Sequence, residues 1–139
     1  MKINLRVVTP EKIAFEGEID QISIPTGKGQ ITILPKHISL VSTMKHGELI
    51  IKSDEKEILM AVYGGFVEIR KNKMTVMTDI AERMEEIDEA KAEEARKEAQ
   101  QRLLRKDQMS DVAFADTVAI LEKSLARLKV AKRKHTRHL

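Results

Sequence analysis

The sequence predicts an α+β protein, a flattened β-sandwich of nine or ten short strands followed by an antiparallel two-helix hairpin, divided into residues 1–85 and 86–139. Three observations carry this reading. Apolar and polar residues alternate from Ile3 to Thr78, which is the period of a half-buried strand. Turn residues interrupt that alternation at short intervals, as in a sandwich or barrel. After Glu86 the β-branched residues give way to Ala, Glu, Lys, Arg, Gln and Leu, all strong helix formers.

Ile3, Leu5 and Val7 form the apolar face of a first strand, ended by the turn Thr9-Pro10-Glu11-Lys12. Ile22 and Ile24 face one side of the next strand, the turn Pro25-Thr26-Gly27-Lys28-Gly29 follows, and Ile31 and Ile33 continue the alternation. Beyond Leu34-Pro35-Lys36-His37 lie strands at Ser39 to Met44, Glu48 to Lys52 and Glu57 to Tyr63. Gly64-Gly65 reads as a break, and Phe66 to Arg70 with Met74 to Thr78 as a hairpin closed by Lys71-Asn72-Lys73. Asp88 is placed to cap a helix that runs to about Arg105, with Glu89, Glu93 and Glu94 near its positive end. Ser110 or Asp111 caps a second helix that reaches about Lys132.

The helices differ in the size of their apolar stripes. Phe114, Val118, Leu121, Leu125 and Leu128 make a heptad-like stripe on the second, and Ala92, Ala95, Ala99 and Leu103 a stripe of mostly methyl groups on the first. A buried Leu is worth ~1.5–3 kcal/mol and an Ala much less, while each ordered residue costs ~1 kcal/mol or more. The expectation is a lightly packed hairpin able to leave the β domain.

Composition narrows the function. With 42% hydrophobic residues and 3% aromatic, the core is aliphatic. The lack of cysteine excludes disulfides, thiolate nucleophiles and Cys-ligated metals, and suits a reducing compartment. The N-terminus predicts no targeting peptide, and no apolar run approaches the ~20 residues of a membrane span. Residues 1–85 carry 12 basic and 12 acidic side chains, residues 86–139 carry 13 and 10. The excess is concentrated at the end, where Lys123, Arg127, Lys129, Lys132, Arg133, Lys134 and Arg137 face only Glu122. Such a helix end predicts an acidic partner. The basic region lacks interleaved aromatics, which argues against nucleic acid.

No arrangement of residues points to catalysis. Of His37, His46, His135 and His138, the nearest pairing is His135 with His138, in a basic tail. The serines lack a nucleophile elbow, and neither Gly27-Lys28-Gly29 nor Gly64-Gly65 opens a helix with a P-loop Lys-Ser/Thr pair. Periodicity alone fits equally an adaptor with a helical arm in any assembly.

Ordered motifs go further. Val7-Val8-Thr9-Pro10-Glu11, then Ser23-Ile24-Pro25-Thr26 to Gly29-Gln30, Ile33-Leu34-Pro35-Lys36-His37-Ile38-Ser39-Leu40, Gly64-Gly65-Phe66-Val67-Glu68-Ile69 and Ala81-Glu82-Arg83 to Ile87-Asp88 cover nearly the whole chain. Together they resemble the epsilon subunit of bacterial rotary F-type ATP synthases. The resemblance implies a non-catalytic subunit of the central stalk in a proton- or sodium-translocating enzyme, with no required cofactor. It implies the gamma subunit, the membrane c-ring and the beta and alpha subunits of the catalytic head as partners. Membrane association would come only through the complex, at the cytoplasmic face of the bacterial plasma membrane. Gln30, His37 and Ile38 match positions that touch the membrane ring, with Gln30 standing where an acidic residue is common. The family's helices can extend into the head and block ATP hydrolysis, which makes Lys123, Arg127, Lys132 and Arg133 candidates for contact with the beta subunit. Some members bind ATP in the folded hairpin, and Glu82, Ile87, Asp88, Lys91, Ala92, Lys123 and Arg127 match those positions. Lys91 replaces an arginine of the motif and loses its planar fork, so any regulatory ATP binding is expected to be weak.

Overall fold

The computed structural model describes residues 1–137, with side chains for residues 1–133. The side chains of Lys134, His135 and Arg137, and the whole of His138, lie outside the described residues, and with them the pairing of His135 with His138. Eight strands precede two helices among the described residues: β1 (Ile3–Val8), β2 (Ile13–Ile19), β3 (Gln21–Thr26), β4 (Gly29–Ile33), β5 (Leu40–Ser53), β6 (Lys56–Arg70), β7 (Lys73–Met77), β8 (Ala81–Arg83), α1 (Glu89–Leu103) and α2 (Asp111–Arg137).

The strands are hydrogen-bonded in the order β2-β1-β7-β6-β5-β3-β4, with β8 also beside β6. The sandwich is produced by the two long strands. The first half of β5 pairs with the second half of β6, beside β7. The second half of β5 pairs with the first half of β6, between β3 and β8. Each long strand therefore belongs to both layers. Between the layers lies an aliphatic core of Ile3, Leu5, Val7, Ile22, Ile24, Leu49, Ile51, Met60, Val62, Val67, Ile69 and Val76, among others.

This corrects the expected count of nine or ten short strands. Gly64-Gly65 bends the chain without ending the strand, so the segments on either side of it form one strand, β6. Both glycines have positive φ, 73° and 119°, and a Cβ on Gly65 would lie 1.9 Å from the Met77 carbonyl oxygen. No other residue fits there. Ser39 to Met44 and Glu48 to Lys52 likewise merge into β5. The reverse error concerns β2, which the alternation does not reveal. It is an edge strand whose residues are mostly half-buried or exposed, so its two faces are not clearly different.

The hairpin turns explain their own register. Asp54-Glu55 closes β5 to β6 and Lys71-Asn72 closes β6 to β7, and all four residues have positive φ. Two central residues with positive φ make the two-residue turn whose twist matches that of the strands. Asn72 also binds outward, its Oδ1 accepting from the Lys36 amide at 2.7 Å.

Both helix caps fall where expected. The Asp88 carboxylate accepts from the Lys91 amide at 3.1 Å, and Ser110 Oγ from the Ala113 amide at 3.1 Å. The helix seam does not. Phe114 and Leu125 are exposed, while Thr117 and Ser124 are buried and donate to the carbonyls of Ala113 and Ile120. On α1 the buried residues are Ala92 and Ala99. These buried positions are spaced by two helical turns on each helix, and all four side chains are small. The bulky stripe lies beside the seam because helix separation is set by the side chains at the contact, and both buried hydroxyls are satisfied within their own helix.

Replacing Gly65 with Ala should lower stability by at least ~2 kcal/mol, since it combines a strained φ with a collision against backbone. Urea denaturation checks this, and an unchanged midpoint would contradict the role given to the glycine.

Candidate functional site

The first half of β6 reads Ile58-Leu59-Met60-Ala61-Val62-Tyr63, an unbroken apolar run. Such a run marks a strand buried on both faces. Met60 and Val62 point into the sandwich, with Ile58 packed at its margin. Leu59, Ala61 and Tyr63 point outward and join Met84, Ile87, Ala126, Val130 and Ala131 in a second apolar cluster, with Ile50 at its edge. This outer cluster seats α2 on the sheet.

Polar groups surround it. Glu82, on β8, receives three donors on one oxygen: Tyr63 Oη at 3.0 Å, Arg127 Nε at 2.9 Å and Arg127 Nη2 at 2.6 Å. The Arg127 guanidinium also lies 5.2 Å from the centre of the Tyr63 ring and the Lys123 ammonium 5.8 Å from it, both within cation–π range. Burial, and then the neighbouring Glu82 carboxylate, push the Tyr63 phenol well above its ordinary pKa, with Arg127 opposing. On β5, Glu48 is paired across the sheet with Ala61 and so faces α2. Its carboxylate takes a two-pronged contact from Arg133, Nε to Oε2 at 3.0 Å and Nη2 to Oε1 at 2.8 Å. His46 lies opposite Tyr63, its Nε2 3.3 Å from Glu122 Oε2. A cleft of about 480 Å³ opens here between α2 and the bend of the long strands, lined by His46, Gly47, Gly64, Glu122, Leu125 and Lys129 among others.

The site residues expected from sequence separate into three groups. Glu82, Lys123 and Arg127 converge on Tyr63. Ile87 and Ala92 are buried, Asp88 is occupied as a helix cap, and Lys91 is exposed. Gln30 is exposed near the start of β4, whereas His37 and Ile38 follow its other end. Ile38 is 78% exposed beside the exposed Leu34, and His37 is half-buried with Nδ1 2.7 Å from the Ile38 carbonyl. Among the basic residues, Lys132 is exposed and Arg133 bridges to β5. No group of three or more potential metal ligands occurs among the described residues.

Two adjoining family models match the chain: the beta-sandwich domain of the ATP synthase delta/epsilon chain over residues 2–84 and its long alpha-helix domain over residues 85–132. The ATP synthase epsilon chain of Chloroflexus aggregans is 40% identical over 131 residues, covering 94% of this chain and 93% of that protein. The chain belongs to the ATP synthase epsilon chain family. The epsilon chain of Herpetosiphon aurantiacus is 36% identical, with 99% of each chain covered. The fold is also that of a chain in the Euglena gracilis mitochondrial ATP synthase structure of OSCP, F1 and c-ring. That likeness has a TM-score of 0.80 at 22% identity, covering 94% of this chain and 81% of that one. A chain of the Tetrahymena thermophila mitochondrial ATP synthase central stalk and c-ring has a TM-score of 0.59 at 15% identity, covering 94% and 97%.

Sequence reasoning missed Tyr63, Glu48 and His46 as members of the site of this epsilon-family chain. A signal existed for each. Tyr63 is the sole tyrosine and ends the doubly apolar run, and Glu48 and His46 are polar residues on the outward side of a strand.

Because Tyr63 is the only tyrosine, its ionisation can be followed directly by ultraviolet absorbance. In the folded chain the midpoint should lie well above that in urea, which is expected at about 10. The native pKa is raised, so the unfolded state loses its proton first. The associated stability is complete below pH ~10 and is lost as pH rises beyond it. The Tyr63→Phe variant should lack that part of the decline. Equal midpoints in buffer and urea would show that Tyr63 is not held as described.

Proposed function

We propose that this chain is a non-catalytic rotor subunit of the central stalk, coupling the catalytic head to the membrane ring, and that its released hairpin inhibits ATP hydrolysis. The observation that carries the reading is the way α2 is docked. Its apolar contribution to the outer cluster is Ala126, Val130 and Ala131, small side chains supplemented by two Arg–Glu contacts. Family membership supports the assembly, and this modest footing supports a helix that can leave its sheet.

The β domain offers two further surfaces. Val41, Phe66 and Met77 lie on the outward face of β5, β6 and β7, with Phe66 directly opposite Met77 and Val41 74% exposed. This apolar face suits the gamma subunit. His37 and Ile38 beyond the end of β4, and Gln30 near its start, are the residues assigned to the loops of the c-ring, Gln30 contributing a neutral hydrogen bond. The beta and alpha subunits of the head would receive the hairpin. Attachment to the cytoplasmic face of a bacterial plasma membrane would come through the complex. No described helix is long and apolar enough to cross a membrane.

Neutralising Lys123, Arg127, Lys132 and Arg133 together should raise ATP hydrolysis by the reconstituted enzyme several-fold while leaving the subunit in the complex. Unchanged hydrolysis would remove the inhibitory reading. Phe66→Glu should instead reduce co-assembly, measured by the amount of this chain retained with the purified enzyme.

A second reading is a regulatory ATP site in the folded hairpin, favoured by the convergence of Glu82, Lys123 and Arg127. Weak binding is expected, because Glu82 and Arg127 already satisfy each other and Asp88 is engaged as a cap. Calorimetric titration of the isolated chain should give a millimolar-range isotherm that Lys91→Arg tightens, the guanidinium adding a bidentate phosphate contact. No heat with either protein would eliminate the site.

A further inference from the structure

Two arginines among the cations assigned to the inhibitory contact close on carboxylates of the β domain in the docked form. Arg127 is closed on Glu82 and Arg133 on Glu48. The two contacts differ in kind. Glu82 sits at the margin of the outer cluster and shares its oxygen with Tyr63, whereas Glu48 lies within the platform, its side chain 2% exposed. Arg133 is 46% exposed above it. Glu48 lies on β5 directly beside the apolar row of β6 that faces α2: His46 opposite Tyr63, Glu48 opposite Ala61, Ile50 opposite Leu59. Nothing in the sandwich needs a carboxylate at that position, since its neighbours Leu49 and Ile51 supply the core.

We propose that Glu48 is an internal competitor for the cationic face of α2, holding Arg133 in the docked state and withholding it from the acidic partner until the helix leaves. The inference rests on the reading that the released hairpin inhibits through these cations.

A buried ion pair brings little net stability, because desolvation offsets most of the attraction, but it tolerates few geometries. Glu48 and Arg133 therefore suit a lock that fixes where α2 sits without making its release costly. On release both groups regain water, and Arg133 becomes free to meet another carboxylate. The same physics makes the pair asymmetric. Removing the Glu48 charge leaves a half-exposed arginine that water can reach. Removing the Arg133 charge leaves a carboxylate covered by the helix with no counter-charge, which is the worse outcome.

The test is amide hydrogen exchange on the full chain. Glu48→Gln should speed exchange in α2 between Ala126 and Ala131 several-fold, leaving β1 and β7 as in the parent. Arg133→Gln should speed it more, and the double variant should fall back toward Glu48→Gln because no orphaned carboxylate remains. Unchanged α2 exchange in both single variants would overturn the proposal. If Glu48→Gln also loosens β1 and β7, Arg133→Gln, whose change lies on the helix, decides the matter. In the reconstituted enzyme Glu48→Gln should deepen inhibition whereas Arg133→Gln relieves it, a divergence that a merely structural pair would not produce. Faster exchange with unaltered hydrolysis would keep the lock and remove the inhibitory reading on which its role was built.

Discussion

Burial of one strand segment on both of its faces is the constraint from which the rest of this structure follows. Met60 and Val62 close the sandwich from one side, and on the other Leu59, Ala61 and Tyr63 form the seat for α2. A strand places successive side chains on opposite sides, so a single run of six apolar residues serves two cores. The core of the sandwich contains no residue of either helix. Without the outward half of that run, α2 would keep only Ile50, Met84 and Ile87 as apolar footing on the β domain.

The acidic groups in and around this seat are matched to what the helix brings. Glu48 and Glu82 lie under Arg133 and Arg127, and Glu122 reaches back to His46. Small residues on the helix let these longer side chains reach the sheet, so apolar closeness and ion pairing are one design. Neither component is large. A few methyl groups and partly desolvated ion pairs hold a helix in register with little excess stability, which is what the proposed release of the hairpin requires.

How much was legible in the sequence depends on the range of the interaction. The caps at Asp88 and Ser110 and the hairpin turn at Lys71-Asn72 are local, and they stand where the residues place them. Alternation located the aliphatic core, because that core is one-sided over most strands. It missed β2, where both faces are half-exposed, and it divided β6 at Gly64-Gly65. There the glycines permit a bend that brings β6 against the backbone of β7, a partner invisible to a local pattern. The heptad stripe on α2 misled for a related reason. Periodicity shows which residues share a helix face, but not that this helix must divide its surface between α1 and a sheet.

The candidate site was legible as a set of residue types and not as a set of partners. Ordered motifs identified the family and selected Glu82, Lys123 and Arg127, while the basic run announced an acidic counterpart. The sequence by itself thus determined the two-part architecture, the aliphatic character of the core, the turns and caps, and the cationic end of the second helix, since all of these arise from local propensity and period. Tertiary structure decided that β6 serves two cores, that Tyr63 joins Glu82 to Arg127, and that Glu48 is the carboxylate beneath Arg133. Those pairings link residues 19 to 85 positions apart, and only the folding of the sheet brings them within hydrogen-bond distance.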